Sequence, residues 1–337
     1  MVNKSTHLMV FACMLSSCMV TTKVDILQPA EIDLPERIKT ILIIDRCHDE
    51  SYHPPKTVLN IFDDPWDHIK TSKDAAIGLY EVINKNPRFE VVDTILEDDG
   101  PCDVGFPYKL SWKVVELLCE KYDAQMLASL EIFETDNDHI SRYREVVTAY
   151  GTTNQYTVTW TQYISLGWRL YDPYTKSMSD EYKSDHSSLY QGKGLSEQSA
   201  LANLPDPHTI IANSSYLAGK AYGQHISPSW ISAERSYYGS VNGYPQMKVA
   251  RNHAINDQWS RAAEIWSVTA YSQDLKTASK ASFNMALACE VEGRLDLALE
   301  WIERAKKNGN NKAWDYEMIL TDRIKAERKV KQQMEGN

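Results

Sequence analysis

The sequence predicts a mixed α/β sheet domain that contains an antiparallel meander, followed by an all-helical domain. Between residues 40 and 133, short β-branched runs alternate with helical periodicity, which is typical of a sheet covered by helices. Residues 156–171 then show a period-two alternation of apolar and polar side chains, as in antiparallel strands with one buried face. From residue 246 onward only helical periodicity remains. The expected fold class is therefore α+β followed by all-α.

The amino-terminal segment has the composition of an export signal. Lys4 precedes an apolar run over residues 8–15, which ends in two serines and Cys18. The run is far shorter than the roughly 20 residues that a membrane-spanning helix needs, so residues 1–17 are predicted to be a signal peptide. The segment resembles the lipobox of bacterial lipoproteins, which implies that Cys18 is acylated and anchors the chain to a membrane. The alternatives are an ordinary secretory signal and a short buried helix.

Beyond the signal, the composition is that of a water-soluble body. The chain is 43% hydrophobic and 24% charged, and no later apolar run is long enough for a transmembrane helix. Its formal net charge of −10 argues against a nucleic-acid partner, because phosphate binding needs clustered lysine and arginine. We predict a lipidated tether over residues 18–38, an α/β domain over 39–242 and helical repeats with a capping helix over 243–332.

The α/β domain can be followed element by element. A continuous apolar run at residues 40–45 predicts a strand buried on both faces. Pro29 and Pro35 before it favour an extended lead-in rather than a helix. The later elements are inferred from periodicity, from Ser111 as a helix cap and from the turn signal Asn86-Pro87. They are a helix at 69–84, a strand at 88–95, a helix at 111–122 and a strand at 124–133.

The meander is predicted from longer strands. Residues 143–150 and 156–171 have strand character, and in the second segment the apolar positions are all even-numbered, broken only by Gln162. A turn at 172–176 is expected to return the chain into a further strand at 178–184. The domain closes with two helices, at 195–203 and 207–226, the second with proline in its first position.

The helical domain carries a repeat. Residues 281–305 resemble a tetratricopeptide repeat, in which Ala286, Ala298 and Ala305 allow close approach of two helices and Gly293 makes the turn between them. A degenerate copy lies about 36 residues upstream, where Trp259 and its neighbours match the second helix. Two repeats leave apolar faces uncovered, so a charged helix at 313–331 is expected to cap the end.

No strong catalytic or metal-binding motif is present in the sequence. Cys47-His48-Asp49-Glu50 with His53 could supply metal ligands, but the spacing matches no known ligand pattern, so we predict no metal and no cofactor. Residues 136–139, Asp-Asn-Asp-His, are predicted to form a hairpin turn rather than a calcium loop, because they lack its glycine and later glutamate. The four cysteines of the body are expected to be mostly buried thiols, and disulfides among them stay open. They are Cys47, Cys102, Cys119 and Cys289.

The order of parts resembles known envelope proteins. The first strand at 41–45, the segment Phe89-Glu-Val-Val-Asp93 and the strand and turn at 168–175 look like the α/β module shared by the TolB amino-terminal domain and the curli-secretion lipoprotein. Together with the lipobox and the terminal repeats, the chain is similar to lipoproteins of Bacteroides-like bacteria. The resemblance implies outer-membrane location. Residues 19–23 lack the acidic side chains of surface-exported lipoproteins in such bacteria, which favours the periplasmic side.

These observations lead to one leading function and two alternatives. The leading prediction is a non-enzymatic envelope lipoprotein, anchored through Cys18, that binds another envelope protein. The helical groove around Trp259, Trp266 and Trp301 is the first candidate surface, and the alternative is that these tryptophans belong to the core. The first alternative is a self-assembling subunit of a secretion or assembly complex. The second is an envelope glycan-binding protein or hydrolase, for which the aromatic residues of 143–174 would provide a stacking surface, although aromatic side chains are also good strand formers.

Overall fold

A computed structural model of the chain describes residues 19–48, 72–98, 102, 105–149 and 151–335. The predicted lipid-attachment residue Cys18 and the metal candidates Asp49, Glu50 and His53 lie outside these ranges. In the described part, no helix combines the length and the apolar character needed to cross a membrane. The secondary-structure elements, in chain order, are β1 (Met19–Gln28), β2 (Thr40–His48), α1 (Ser72–Lys85), β3 (Glu90–Asp98), α2 (Trp112–Tyr122), β4 (Met126–Thr148), β5 (Gly151–Asp172), β6 (Ser177–Gly194), α3 (Glu197–Leu201), α4 (Pro207–Ile226), β7 (Ser229–Tyr238), α5 (Gln246–Ile255), α6 (Trp259–Thr269), α7 (Leu275–Val291), α8 (Leu295–Lys307) and α9 (Lys312–Glu335).

The chain forms two compact units, and the predicted fold class of a mixed sheet domain followed by an all-helical region is confirmed. The α/β unit contains residues 29–229 and also the last turn of α9, from Val330. The helical unit contains Trp230–Lys329 and, from the start of the chain, β1. The division at Ser229 differs from the one expected after residue 242, because most of β7 belongs to the helical unit.

A five-stranded sheet with the order β3-β2-β4-β5-β6 is the centre of the α/β unit. Strand β2 pairs in parallel with β3 and with the start of β4, whereas β4, β5 and β6 form an antiparallel meander. The even-numbered apolar positions predicted to share one face of β5 are all buried, and so is Gln162. Its amide donates to the Thr135 hydroxyl and its oxygen accepts from the Trp160 indole, which satisfies the one polar group in that row.

Strand β4 runs through the segment for which a turn was predicted. Asp136, Asn137 and His139 each pair with a residue of β5, so the hairpin turn predicted at 136–139 is wrong. Asn and Asp are turn formers, but here the long register with β5 decides the backbone, and His139 stacks on Trp160 with ring centroids 6.3 Å apart. The chain instead turns after Thr148, the last residue of β4.

Two helices pack closely on one face of the sheet. Helices α1 and α4 meet at Gly78 and Gly219, where a Cβ on Gly219 would lie 1.9 Å from the Ala75 carbonyl oxygen. The close approach brings Leu79 and Tyr222 into the same apolar core. Helix α4 begins at Pro207, as predicted.

Helix α2 covers the opposite face of the sheet. It is capped by Ser111, whose hydroxyl accepts from the Val114 amide, so the predicted cap is confirmed. Val115 and Cys119 pack from α2 against Leu42 and Leu127 of the sheet.

The helical unit consists of β1, β7 and the helices α5–α9. Strands β1 and β7 form a two-stranded sheet, so the extended lead-in expected before residue 38 is, over Met19–Gln28, a paired strand rather than a tether. In the repeats, α6 and α8 are equivalent helices, and the alanines predicted for close contact, Ala286, Ala298 and Ala305, are fully buried. Gly293, at φ 72°, makes the turn before α8, as its position predicted.

Candidate functional site

Cys47, a candidate metal ligand by sequence, forms a disulfide bond. Cys47, at the end of β2, is bonded to Cys102, with the two Cα atoms 5.0 Å apart. The Cys47 sulfur is therefore not available as a metal thiolate in this state. The expectation of buried thiols is wrong for this pair, and it holds for Cys119 and Cys289. A bond across 55 residues of sequence depends on the sheet, which aligns the end of β2 with the segment that follows β3.

The disulfide lies at the edge of the sheet where α/β proteins commonly bind ligands. Strand β2 has β3 on one side and β4 on the other, and both are parallel to it. The connections that leave β2 and β3 therefore run in opposite directions across the sheet, which makes the carboxyl end of β2 a topological switch point. Asp45 and Arg46 lie at this carboxyl edge and are almost fully buried. The Asp45 carboxylate accepts from the Ser72 hydroxyl, at 2.7 Å, and from the Cys47 amide.

A buried ionic network stands beside this edge. The carboxylate of Glu131, fully buried in β4, accepts from Arg169 at 2.6 Å and from the Tyr171 hydroxyl at 3.0 Å, and Arg46 lies 3.3 Å away. Ser129 pairs directly with Arg169, so Glu131, two residues further along β4, is on the same face as Arg169 and Tyr171.

The network holds the segment before α2 onto the sheet. Arg169 donates to the Pro107 carbonyl at 2.7 Å and to Glu181 at 2.8 Å, and its guanidinium covers the Phe106 ring. Burial and the nearby Glu131 charge raise the pKa of Tyr171 to about 12, so its hydroxyl stays a donor at neutral pH. Because the Glu131 carboxylate is satisfied by protein donors, the arrangement is suited to fixing a loop rather than to acid–base chemistry. The sequence signal for it was a charged residue on an otherwise apolar strand.

A second buried polar cluster joins α4 to β6. The His225 ring lies 2.9 Å from Glu31 and 3.3 Å from Asp180, measured between nitrogen and carboxylate oxygen. The ring also stacks on Tyr182, with centroids 4.2 Å apart, and Tyr182 stacks in turn on Tyr222. Burial raises the pKa of Asp180, although His225 counteracts that effect. No sequence pattern indicated this cluster, because its members come from segments far apart in the chain.

The three tryptophans considered for partner binding differ in their exposure to solvent. Trp266 is fully buried and Trp259 nearly so, and both pack edge-on against Tyr237 of β7. Their side chains form the core of the helical unit, as the alternative interpretation expected, and do not present a surface to a partner. Trp301 is only partly buried and packs against Tyr271, with centroids 6.3 Å apart.

Trp301 belongs to an exposed aromatic surface that we call the Tyr271 patch, consisting of Val268, Tyr271, Trp301 and Arg304. Val268 is 77% exposed and Tyr271 67% exposed. The Arg304 guanidinium lies 3.9 Å from the centre of the Tyr271 ring and donates to the Ala270 carbonyl, which fixes its position. Exposed aromatic and arginine side chains are enriched where proteins bind other proteins.

Strand β7 is held to the helices by polar groups that no local sequence pattern indicates. The Asn284 amide makes two hydrogen bonds of 2.8 Å with the backbone of Tyr238, one to its N–H and one to its carbonyl. The buried Glu290 carboxylate accepts from Arg235 of β7 and from Tyr316 of α9, and pairs with Arg323 at 2.8 Å. Burial alone would raise the pKa of Glu290, but these donors hold it below its ordinary value.

Comparison with known proteins gives two family matches. A model described as "Domain of unknown function (DUF8603)" matches residues 38–238, and a model described as "Domain of unknown function (DUF6340)" matches residues 248–333. A search of curated proteins found no match. Among solved structures, the chain is similar to a PelC dodecamer from Paraburkholderia phytofirmans that carries a leucine-to-methionine substitution, at TM-score 0.23 and 11% identity, covering 61% of this chain and 99% of that chain. A second PelC dodecamer from the same organism matches at TM-score 0.21 and 11% identity, covering 59% and 97%.

Proposed function

The chain belongs to the DUF8603 family, and we propose that it is a non-enzymatic, lipid-anchored module that binds another protein of the bacterial cell envelope. The observation that carries the proposal is the Tyr271 patch, where Val268 and Tyr271 are exposed to solvent. The same unit buries other large aromatic residues, such as Trp266. Covering Val268, Tyr271 and Trp301 with a partner would remove apolar surface from water, at about 25 cal/mol per Å². Arg304 at the edge offers a cation to a partner carboxylate.

The start of β1 supports a position close to the membrane. Strand β1 begins at Met19, directly after the proposed lipid-attachment residue Cys18. A lipid on Cys18 would therefore be joined to the helical unit, which contains the Tyr271 patch, without a flexible linker. This favours a partner that is itself at the membrane surface. From the resemblance to Bacteroides-type lipoproteins we propose that the protein lies at the outer membrane, facing the periplasm.

Photo-crosslinking in cells tests this function. A Tyr271→p-benzoylphenylalanine variant should capture one defined envelope protein, and a Val268→Asp change in the same variant should abolish that product because it places a charge in the apolar contact. The matched control is p-benzoylphenylalanine in place of Tyr174, which is 81% exposed in the α/β unit and outside the patch. The same products from both positions, or no product from position 271, would refute the proposal.

Cys18→Ala gives a separate test of the anchor. If Cys18 carries the lipid, this variant should leave the membrane fraction and lose the crosslink from position 271, while the folded body remains intact by circular dichroism. Unchanged membrane association of Cys18→Ala would exclude lipid attachment as the anchor.

A second candidate function, self-assembly, is favoured by the free edges of the meander. Beyond its pairing with β2, strand β4 pairs only with β5 among the described strands, and β6 likewise pairs only with β5. Long unpaired edges are templates for strand addition by another copy. Val147 and Leu189, on β4 and β6, are 87% and 70% exposed. Light scattering over a hundredfold concentration range distinguishes the cases: a constant monomer excludes assembly, and a defined ring or larger oligomer establishes it.

A further inference from the structure

The outer part of the meander forms a groove that the proposed function does not use. The groove has a volume of about 560 Å³ and crosses β4, β5 and β6. Its β5 residues are odd-numbered, so they point to the face opposite the one that buries Val158 and Trp160. The groove is lined by Ile140, Arg142, Tyr143, Arg144, Gln155, Thr157, Thr159, Gln191 and Lys193.

The charges in this groove are all positive. Its lining contains Arg142, Arg144 and Lys193 but no carboxylate. In the strand register Arg142 is opposite Thr157, and Thr157 is opposite Lys193, so a cation stands on each side of a threonine hydroxyl. Because neighbouring strands are about 4.8 Å apart, the backbones at the two cations are separated by roughly 10 Å.

One cation of the groove is held in place and two are open to solvent. The Gln155 side-chain oxygen accepts from two nitrogens of Arg144, at 3.2 and 2.9 Å, which holds the guanidinium against the sheet and leaves its remaining N–H groups for another acceptor. Arg142 and Lys193 make no ion pair with any residue of the described part of the chain. A chain of net charge −10 thus concentrates unpaired positive charge in one concave place, which attracts an anion.

The neutral lining indicates what kind of anion fits. Thr157, Thr159, Gln155 and Gln191 present hydroxyl and amide groups that both donate and accept hydrogen bonds, as sugar hydroxyls require. Tyr143 is directly opposite Tyr156 in the strand register, so its ring packs against Tyr156 on the other face of the sheet and does not face the groove. An inorganic phosphate needs donors but makes little use of amide acceptors. A groove open across three strands also suits an extended chain better than a compact ion.

We propose that this groove binds a carboxylate-bearing polysaccharide, with Arg142, Arg144 and Lys193 pairing with its carboxylates and the threonine and glutamine side chains bonding its hydroxyls. Carboxylate pairing with arginine is charge-assisted and bidentate in favourable geometry. The exposed position of the cations makes the attraction sensitive to salt. This activity is independent of the Tyr271 patch, which lies in the other unit.

Binding of polygalacturonate to the full-length lipoprotein in a neutral detergent tests the proposal by isothermal titration calorimetry. We expect saturable binding that weakens as salt is raised, and no binding of dextran, a neutral polysaccharide. The double variant Arg142→Gln/Lys193→Gln should bind about tenfold more weakly or worse, because two charge-assisted contacts are lost. Arg261→Gln/Lys248→Gln, which removes two exposed charges of the helical unit, is the matched control and should bind as the wild type does.

Three results would overturn the proposal. The first is no binding of polygalacturonate. The second is equal loss of affinity in the groove variant and in the control variant, which would show only non-specific charge attraction. The third is binding through the groove to phosphatidylglycerol vesicles or inorganic phosphate but not to polygalacturonate, which would assign the cations to a phosphate ligand. Circular dichroism and thermal unfolding of each variant establish that it is folded.

Discussion

Replacing Glu290 by glutamine should destabilise the helical unit more than any surface substitution of the same kind. The carboxylate is fully buried, and its partners Arg235 and Arg323 are only 12% and 13% exposed. In Glu290→Gln the two guanidinium groups stay buried and lose their counter-charge, and the Tyr316 hydroxyl loses a charged acceptor at 2.5 Å. Removing one partner of a buried ion pair costs about 3 to 5 kcal/mol.

The loss of unfolding free energy in Glu290→Gln corresponds to a lower melting temperature. We take the lower end of that range, about 3 kcal/mol, because the glutamine oxygen still accepts one hydrogen bond. For a unit of this size, that lowers the melting temperature by about 10 °C. Calorimetry of the chain from residue 19 onward measures the shift, and hydrogen exchange should locate it in α7, α9 and β7. Glu303→Gln is the control: Glu303 pairs with Lys307 on the surface of α8, with both side chains more than half exposed, and should cause no measurable change.

The same carboxylate predicts how stability depends on pH. The pKa of Glu290 is lowered in the folded state from an ordinary value of 4.5, so its contribution is complete above that pH and is lost as the pH falls through the folded-state pKa. Glu290→Gln should therefore show a smaller loss of stability between neutral pH and acid than the wild type. An unchanged melting temperature, or an acid dependence identical to that of the wild type, would refute the assignment of the pair as buried and ionised.

Three further predictions concern the α/β unit and the thiols. Gly219→Ala should lower stability by about 3 kcal/mol, because the added carbon meets backbone atoms that only a separation of α1 and α4 can relieve, and urea denaturation measures this. Loss of the bond between Cys47 and Cys102 by alanine substitution of both should cost about 4 kcal/mol in the same assay, from the entropy of the opened loop. Burial raises the pKa of Cys119 and of Cys289 to about 11, so neither should react with Ellman's reagent at pH 8 until the chain is unfolded.

Each of these predictions has a contrasting outcome. Gly105→Ala is the control for the helix contact, since a Cβ there meets no atom within 4 Å, and equal effects at positions 105 and 219 would contradict the packing argument. For the disulfide, a melting temperature that dithiothreitol lowers in the wild type but not in the double variant is expected, and insensitivity of the wild type would exclude the bond. Rapid reaction of either Cys119 or Cys289 in the folded chain would contradict the burial of that thiol.

Much of the α/β unit was predictable because its signals are local. A run of β-branched residues at 40–45, a serine at 111 before a helical period and a proline at 207 each act on the few residues around them, and each element was found where the sequence placed it. The alternation of apolar and polar side chains along β5 likewise predicts that one face of this strand is buried. The turn predicted at 136–139 was wrong because it rested on local preference alone, whereas a strand pairs with residues far away in the chain.

The sites were less predictable than the elements. Tryptophan is a residue type enriched at protein interfaces, but Tyr237 of β7 packs against Trp259 and Trp266. No pattern in the helical repeats predicts that a strand packs there. The network around Glu131 and the bond between Cys47 and Cys102 also join segments that are separate in sequence. Their partners depend on sheet order and register, which periodicity does not encode.

The sequence by itself predicted most of the strands and helices between β2 and α4, the repeat in the last third of the chain and the alanine positions at which its helices meet. Those features follow from length, periodicity and side-chain size, which act within a few turns of the chain. Only the tertiary structure decided that β1 pairs with β7, that Asn284 and Glu290 hold this sheet to the helices, and that three cations line one groove of the meander. These depend on contacts between distant residues, which form only when packing selects one arrangement of the same elements.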